Sequence, residues 1–123
     1  MPQKITVLIA DDHRLFAEAL EAILSAEPEI EVVGRARNGE EAVAQALELR
    51  PDVILMDIAM PVVDGVEATK RIRKKHAGAC VLMLTGSNSR TDVARAREAG
   101  AAGYVTKDRI AAQLIEAIRE LAA

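Results

Sequence analysis

The stretch "PDVILMDIAMPVVDG", residues 51–65, decides how the chain is read. Val53 to Met56 form an unbroken apolar run, and the next residue is the carboxylate Asp57. A short apolar run bounded by Pro51 and by a charge suits a strand of a parallel sheet, covered on both faces. Ending such a strand in a charge has two readings. Asp57 is a solvated cap, or it is a reacting group held at the rim of a rigid sheet.

Four more runs of the same kind flank it. They are "ITVLIA" at 5–10, "IEVVGRA" at 30–36, "CVLML" at 80–84 and "AGYVT" at 102–106, with the quoted run itself at 52–56. Helical patterns fill the intervals. In 13–26, Leu15, Ala19 and Ile23 recur every fourth residue beside Phe16, Leu20 and Leu24, a wide apolar stripe. In 39–49 the stripe is Ala42, Val43, Ala46 and Leu47, with Asn38 as N-cap and Glu41 placed for a capping box. Segment 65–76 ends in "RIRKKH", whose cations favour a helix C-terminus and read as a solvated face. Segment 89–99 stops at Gly100, a C-terminal capping glycine. Segment 109–122 carries Ile110, Leu114, Ala117, Ile118 and Leu121 on one face. The pattern is (βα)5. It predicts a doubly wound α/β fold with right-handed crossovers and a parallel five-stranded sheet in the common order 2-1-3-4-5. One domain over residues 1–123 is expected.

Composition narrows the function. Half the residues are hydrophobic and 2% are aromatic, so the core is built from Val, Ile, Leu, Ala and Met. The balance of 16 basic against 19 acidic residues, net -3, argues against nucleic-acid binding by this chain, which needs clustered surplus cations. Its one cysteine, Cys80, excludes an internal disulfide and reads as a small buried hydrophobe. No run approaches the ~20 apolar residues of a membrane span, and acidic residues come too early for a signal peptide. The expectation is a soluble cytoplasmic protein without membrane contact.

In doubly wound sheets, ligands sit at the C-terminal strand ends. There the first strand leads into Asp11 and Asp12, the third into Asp57, the fourth into Thr85, and the fifth, past Tyr104, into Lys107. Two carboxylates ~4 Å apart cost about 4 kcal/mol at an effective dielectric near 20. Lys107 offsets one charge. An all-oxygen acidic site suits Mg2+ (or Mn2+) for the rest. His13 reads as a helix opener and not as a ligand, and His76 as solvated; with neither His nor Cys placed as a ligand, zinc is disfavoured. A cation, a lysine, a hydroxyl and a carboxylate nucleophile together suit phosphoryl transfer. The blander reading makes each aspartate a helix N-cap, which suits Asp11 or Asp12 singly but not five groups on one rim.

The motifs "IADDH" (9–13), "ILMDIAMPVVDG" (54–65), "MLTG" (83–86) and "GYVTKD" (103–108) stand in one order along nearly the whole chain. Together they resemble the response-regulator receiver domain. "EPEIEVVGRARNGEEAV" and "DGVEATKRIR" resemble its NarL/FixJ-type subfamily. The resemblance implies that Asp57 accepts a phosphoryl group from the phosphohistidine of a sensor histidine kinase, or from a small phosphodonor. It implies that Asp12, Asp57 and the Ala59 backbone carbonyl bind Mg2+ directly and Asp11 through water. Lys107 and Thr85 would contact phosphoryl oxygens, and Tyr104 would swing inward once Thr85 has moved. The remote surface that responds would be helix 4, strand 5 and helix 5. Positions Ala59 and Ser87 would tune self-dephosphorylation, Ala59 offering no side chain to orient water. Such a protein catalyses its own phosphorylation and dephosphorylation without being a conventional enzyme. Subfamily relatives carry a C-terminal DNA-binding domain, and none lies within these residues. The chain then reads as the regulatory domain of a transcriptional regulator or as a stand-alone receiver. The kinase's phosphotransfer domain would dock near helix 1 and the loop after strand 5. Homodimerisation on activation would use helices 1 and 5, or the helix 4–helix 5 face.

Two other classes compete. An aspartyl-nucleophile phosphatase resembling the haloacid dehalogenases needs a second aspartate where Ala59 stands. A flavodoxin-like cofactor binder needs a Gly/Ser/Thr-rich phosphate loop after strand 1 and more aromatics than this chain has.

Overall fold

A computed structural model describes residues 4–86 and 90–123. Its strands are β1 (Ile5–Ala10), β2 (Ile30–Ala36), β3 (Val53–Asp57), β4 (Val81–Thr85) and β5 (Gly103–Thr106). Its α-helices are α1 (Arg14–Ser25), α2 (Gly39–Leu49), α3 (Gly65–Lys75), α4 (Arg90–Glu98) and α5 (Ile110–Ala122). The sheet is parallel, in the expected order β2-β1-β3-β4-β5.

Every residue of β3 and β4 is buried, because helices cover both faces. Alternation along the strands divides the core. Leu8, Ala10, Ile54, Met56, Val81 and Met83 face Ala42, Ala46, Ala68 and Ile72 of α2 and α3. Val7, Ile9, Leu55, Leu82 and Leu84 face Leu20 and Leu24 of α1 and Leu114 and Ile118 of α5. Edge strand β2 leaves Glu31 and Arg35 exposed.

Several boundaries differ from the sequence expectation. β3 and β4 each run one residue later than their apolar runs, and they end in Asp57 and Thr85 as expected. Asp52 is outside the strand because its side chain accepts from the Thr6 N–H (2.8 Å) and hydroxyl (3.0 Å), tying the sheet's opposite rim. β5 starts at Gly103 rather than at 102, and Lys107 opens a 3-10 turn, Lys107–Arg109, leading into α5. α1 is shorter than 13–26, with His13 and Ala26 as its caps. Its buried face is Ala17, Leu20 and Leu24, while Leu15, expected in the stripe, is 81% exposed.

The caps follow local chemistry. Asn38 accepts from the Glu41 N–H at 2.8 Å, as expected. Glu41 reaches back to the Arg37 N–H at 3.0 Å, one residue short of a true capping box. The turn after α4 closes on Gly100, whose φ of +97° and N–H donation to the Arg97 carbonyl match a glycine cap. Arg73 of α3 is not simply solvated: it donates to the Ala79 carbonyl at 2.8 Å. Cys80 is half-buried rather than buried, and burial pushes its thiol up.

Candidate functional site

Register assembles the rim. Ala10 pairs with Met56, so the next step along both strands sets Asp11 beside Asp57. Asp57 pairs with Leu84, and Thr85 with Thr106, so Thr85 and Lys107 follow one step further along. The backbone beyond Asp57 is clamped. Ile58 N–H donates to Leu84 O at 3.1 Å, and Gly65 N–H to Ile58 O at 3.0 Å. A Cβ on Gly65 would lie 2.1 Å from the Asp57 carbonyl oxygen, so this close approach requires glycine.

Asp11 and Asp57 are each 3% exposed and Thr85 is fully buried, whereas Asp12 is exposed. Lys107 Nζ stands 3.0 Å from Asp11 Oδ2 and 3.5 Å from Asp57 Oδ2. These are ion-pair distances, yet neither buried oxygen accepts a hydrogen bond. The Ala59 N–H reaches Asp57 Oδ1 only weakly, at 3.4 Å. Burial pushes the Asp57 carboxyl up to about 6, with the Asp11 and Asp12 charges acting the same way. Lys107 and the Ala59 N–H oppose the shift.

Two contributors escaped the sequence reading. His13 was read as a helix opener, and it does cap α1. Its ring nevertheless turns back, with Nδ1 3.0 Å from Asp11 Oδ1, 3.4 Å from Asp12 Oδ1, 3.6 Å from Asp57 Oδ2 and 3.4 Å from Lys107 Nζ. The expectation that no histidine stands in a ligand position is thus corrected: one atom from each of Asp11, Asp12, His13 and Asp57 lies within 4.8 Å of the others. Phe16 lies under Lys107, its ring centroid 4.5 Å from Nζ, in cation–π range. The available signal was position: His13 directly follows the paired aspartates, and Phe16 is three residues further on the same helix face.

A cavity of about 490 Å3 opens over the site, and Leu15, Phe16, Ile58 and Ala59 make its wall largely apolar. Tyr104 is 43% exposed on β5 and lines a separate hollow with Val93 and Arg97 of α4. Ser87 lies outside the described residues. No helix among the described residues is long and apolar enough to cross a membrane.

Residues 7–119 match the family described as the response regulator receiver domain. The chain is 44% identical over 119 residues to the transcriptional regulatory protein DegU of Brevibacillus brevis, covering 97% of this chain and 50% of that protein. It is 44% identical to the transcriptional regulatory protein LiaR of Bacillus subtilis, covering 94% and 54%. The chain therefore spans about half the length of these relatives. The signal receiver domain of NarL from Mycobacterium tuberculosis superposes with a TM-score of 0.94 at 32% identity, covering 98% of both chains.

Proposed function

The chain belongs to the response regulator receiver domain family of two-component systems, and we propose that Asp57 is the residue that accepts the phosphoryl group. The observation that carries this reading is the buried carboxylate pair Asp11 and Asp57, each with an oxygen that accepts no hydrogen bond, facing Lys107 at one rim of the sheet.

An oxygen of Asp57 attacks the phosphorus of a kinase phosphohistidine or of a small acyl phosphate. The bond from phosphorus to the donor breaks, its electron pair leaves with the donor, and an aspartyl phosphate forms. Lys107 offsets charge on the phosphoryl oxygens, and Phe16 beneath it limits where its ammonium can go. The Thr85 hydroxyl donates to the same group. Tyr104 responds to Thr85, and the α4–β5–α5 surface changes with it.

Three carboxylates with two unsatisfied buried oxygens fit a hard divalent cation. Asp11, Asp12, Asp57 and the Ala59 carbonyl would hold Mg2+ (or Mn2+). When bound, the ion supplies the positive charge that lets these carboxylates and a phosphoryl group share one small volume. Ala59 brings no side chain to orient a hydrolytic water, so the lifetime of the phosphate is set by Ala59 and Ser87.

The apolar rim of Leu15, Phe16 and Ile58 suits docking of a sensor kinase's phosphotransfer domain in the cytoplasm. Since matched relatives named as transcriptional regulators are about twice as long, the chain reads as the regulatory domain of such a regulator, itself making no nucleic-acid contact. Phosphorylation would favour a homodimer, which sedimentation with and without a phosphoryl mimic would detect. The central test is incubation with Mg2+ and acetyl phosphate. A mass gain on the wild type that disappears in Asp57→Ala is expected; a gain that survives the substitution defeats the assignment.

A further inference from the structure

We propose that His13 Nδ1 is a ligand of the acidic site, making it a mixed nitrogen–oxygen centre that holds a nitrogen-seeking first-row divalent cation, Zn2+ in the simplest case. This deepens the reading of the rim as a cation site and rests on it.

The backbone sets the ring in place. The His13 N–H donates to Asp11 Oδ1 at 2.8 Å, which folds the chain back before α1 begins. Nδ1 then lies 3.0, 3.4 and 3.6 Å from one oxygen each of Asp11, Asp12 and Asp57. A first-row cation binds such N and O atoms at ~2.0–2.2 Å, which sets neighbouring ligand atoms ~3.0–3.5 Å apart. The observed separations fall close to that spacing.

Nδ1 has two neighbours of opposite hydrogen-bonding character. Nδ1 is within 3.0 Å of an acceptor, Asp11 Oδ1, and 3.4 Å of a donor, Lys107 Nζ. A neutral nitrogen serves only one of them. If it accepts from Lys107, its lone pair faces three carboxylates. Asp11 Oδ2 and Asp57 Oδ2, both in residues 97% buried, accept no hydrogen bond at all. The positive group that faces both oxygens is Lys107, at 3.0 and 3.5 Å. Lys107 supplies one charge against three. Mg2+ takes its ligands from oxygens, whereas imidazole favours zinc, copper and nickel. His13 therefore shifts the site's preference among metals. A cation held through His13 also occupies the Asp57 oxygen on which phosphoryl transfer depends, so Zn2+ and Mg2+ compete.

The rival account is that His13 carries two protons and is itself the cation, in which case metal affinity owes it nothing. The experiment is titration of the whole chain with Zn2+ against a chromophoric chelator, and separately with Mg2+ by calorimetry, for wild type, His13→Ala, His13→Asn and His76→Ala. Both His13 variants are expected to weaken Zn2+ ~10-fold or more and to leave Mg2+ within about twofold. His76→Ala should change neither. The 15N resonance of His13 Nδ1 should shift on Zn2+ addition. The proposal is overturned by Zn2+ affinity within twofold of wild type in both His13 variants, by loss in His76→Ala instead, or by an unmoved Nδ1 resonance. A chain that fails this test but still gains an Mg2+-dependent phosphoryl group on Asp57 loses only the role of His13. One that does neither loses the site reading as well.

Discussion

Asp57 is a carboxylate that folding makes easier to protonate. Its value rises from 3.8 to about 6, chiefly through burial. A raised acid favours the folded state increasingly as pH falls from above 6 toward 4, and at pH 7–8 its charge costs stability. Asp57→Asn removes that charge with little change of shape. In the presence of chelator it should raise Tm at pH 8 by a few degrees, on the order of 1 kcal/mol, and the gain should shrink as pH falls through 6 and vanish only below about pH 4. Thermal melts across this range check it; a gain independent of pH would mean that packing, not charge, is the cause. Val62 carries a different strain. Its φ is +70°, where a β-branched side chain is disfavoured, and it is 74% exposed with no burial to offset the cost. Val62→Gly should stabilise by about 1 kcal/mol in urea melts, the relief of strain exceeding the added chain entropy. No gain would show that the loop relaxes around valine. Nothing in the periodicity of "PVVDG" announced that conformation, because it follows from where the loop must go.

Among the elements, those whose chemistry is local were the most legible. Asn38 and Gly100 were readable as caps because a cap is made by residues within one turn of each other. Gly100 joins two levels: φ is +97°, and a Cβ there would stand 2.4 Å from Arg73 Nε of α3. Gly100→Ala should cost about 1–2 kcal/mol by chemical denaturation. Arg73→Ala tests which part dominates. If the cost persists in the double variant, backbone conformation is responsible; if it disappears, the contact is. The α1 stripe was less legible. Leu15 and Ala19 fit a helical face as well as Ala17, Leu20 and Leu24 do, and only docking on the sheet chooses between them. The unused Leu15 became part of the apolar wall above the site.

The whole molecule holds repelling charges together because the sheet leaves them no alternative. β1, β3 and β4 are central, and their hydrogen-bonded ladders set the positions of Asp11, Asp57 and Thr85. Cation binding should therefore act on global stability. With free Mg2+ at 100 times its Kd, linkage raises the folding free energy by about 2.7 kcal/mol. Wild type should show that rise as a higher Tm, and Asp12→Asn much less of it at the same Mg2+. Equal shifts in both proteins would place the ion elsewhere.

What consecutive residues encode, the sequence alone determined: five strands, five amphipathic helices, their order in the sheet, and the five groups delivered to one rim. Burial periodicity is a property of neighbours in the chain, and the crossover rule converts it into topology. What required the folded chain was contact between distant segments. His13 meets Lys107 across 94 residues, Phe16 supports the same lysine, and Gly65 fits only because Asp57 passes so close. Those relations depend on strand register and on the angle at which α1 leaves β1. Both are set by packing of the complete core, and no local run of residues carries them.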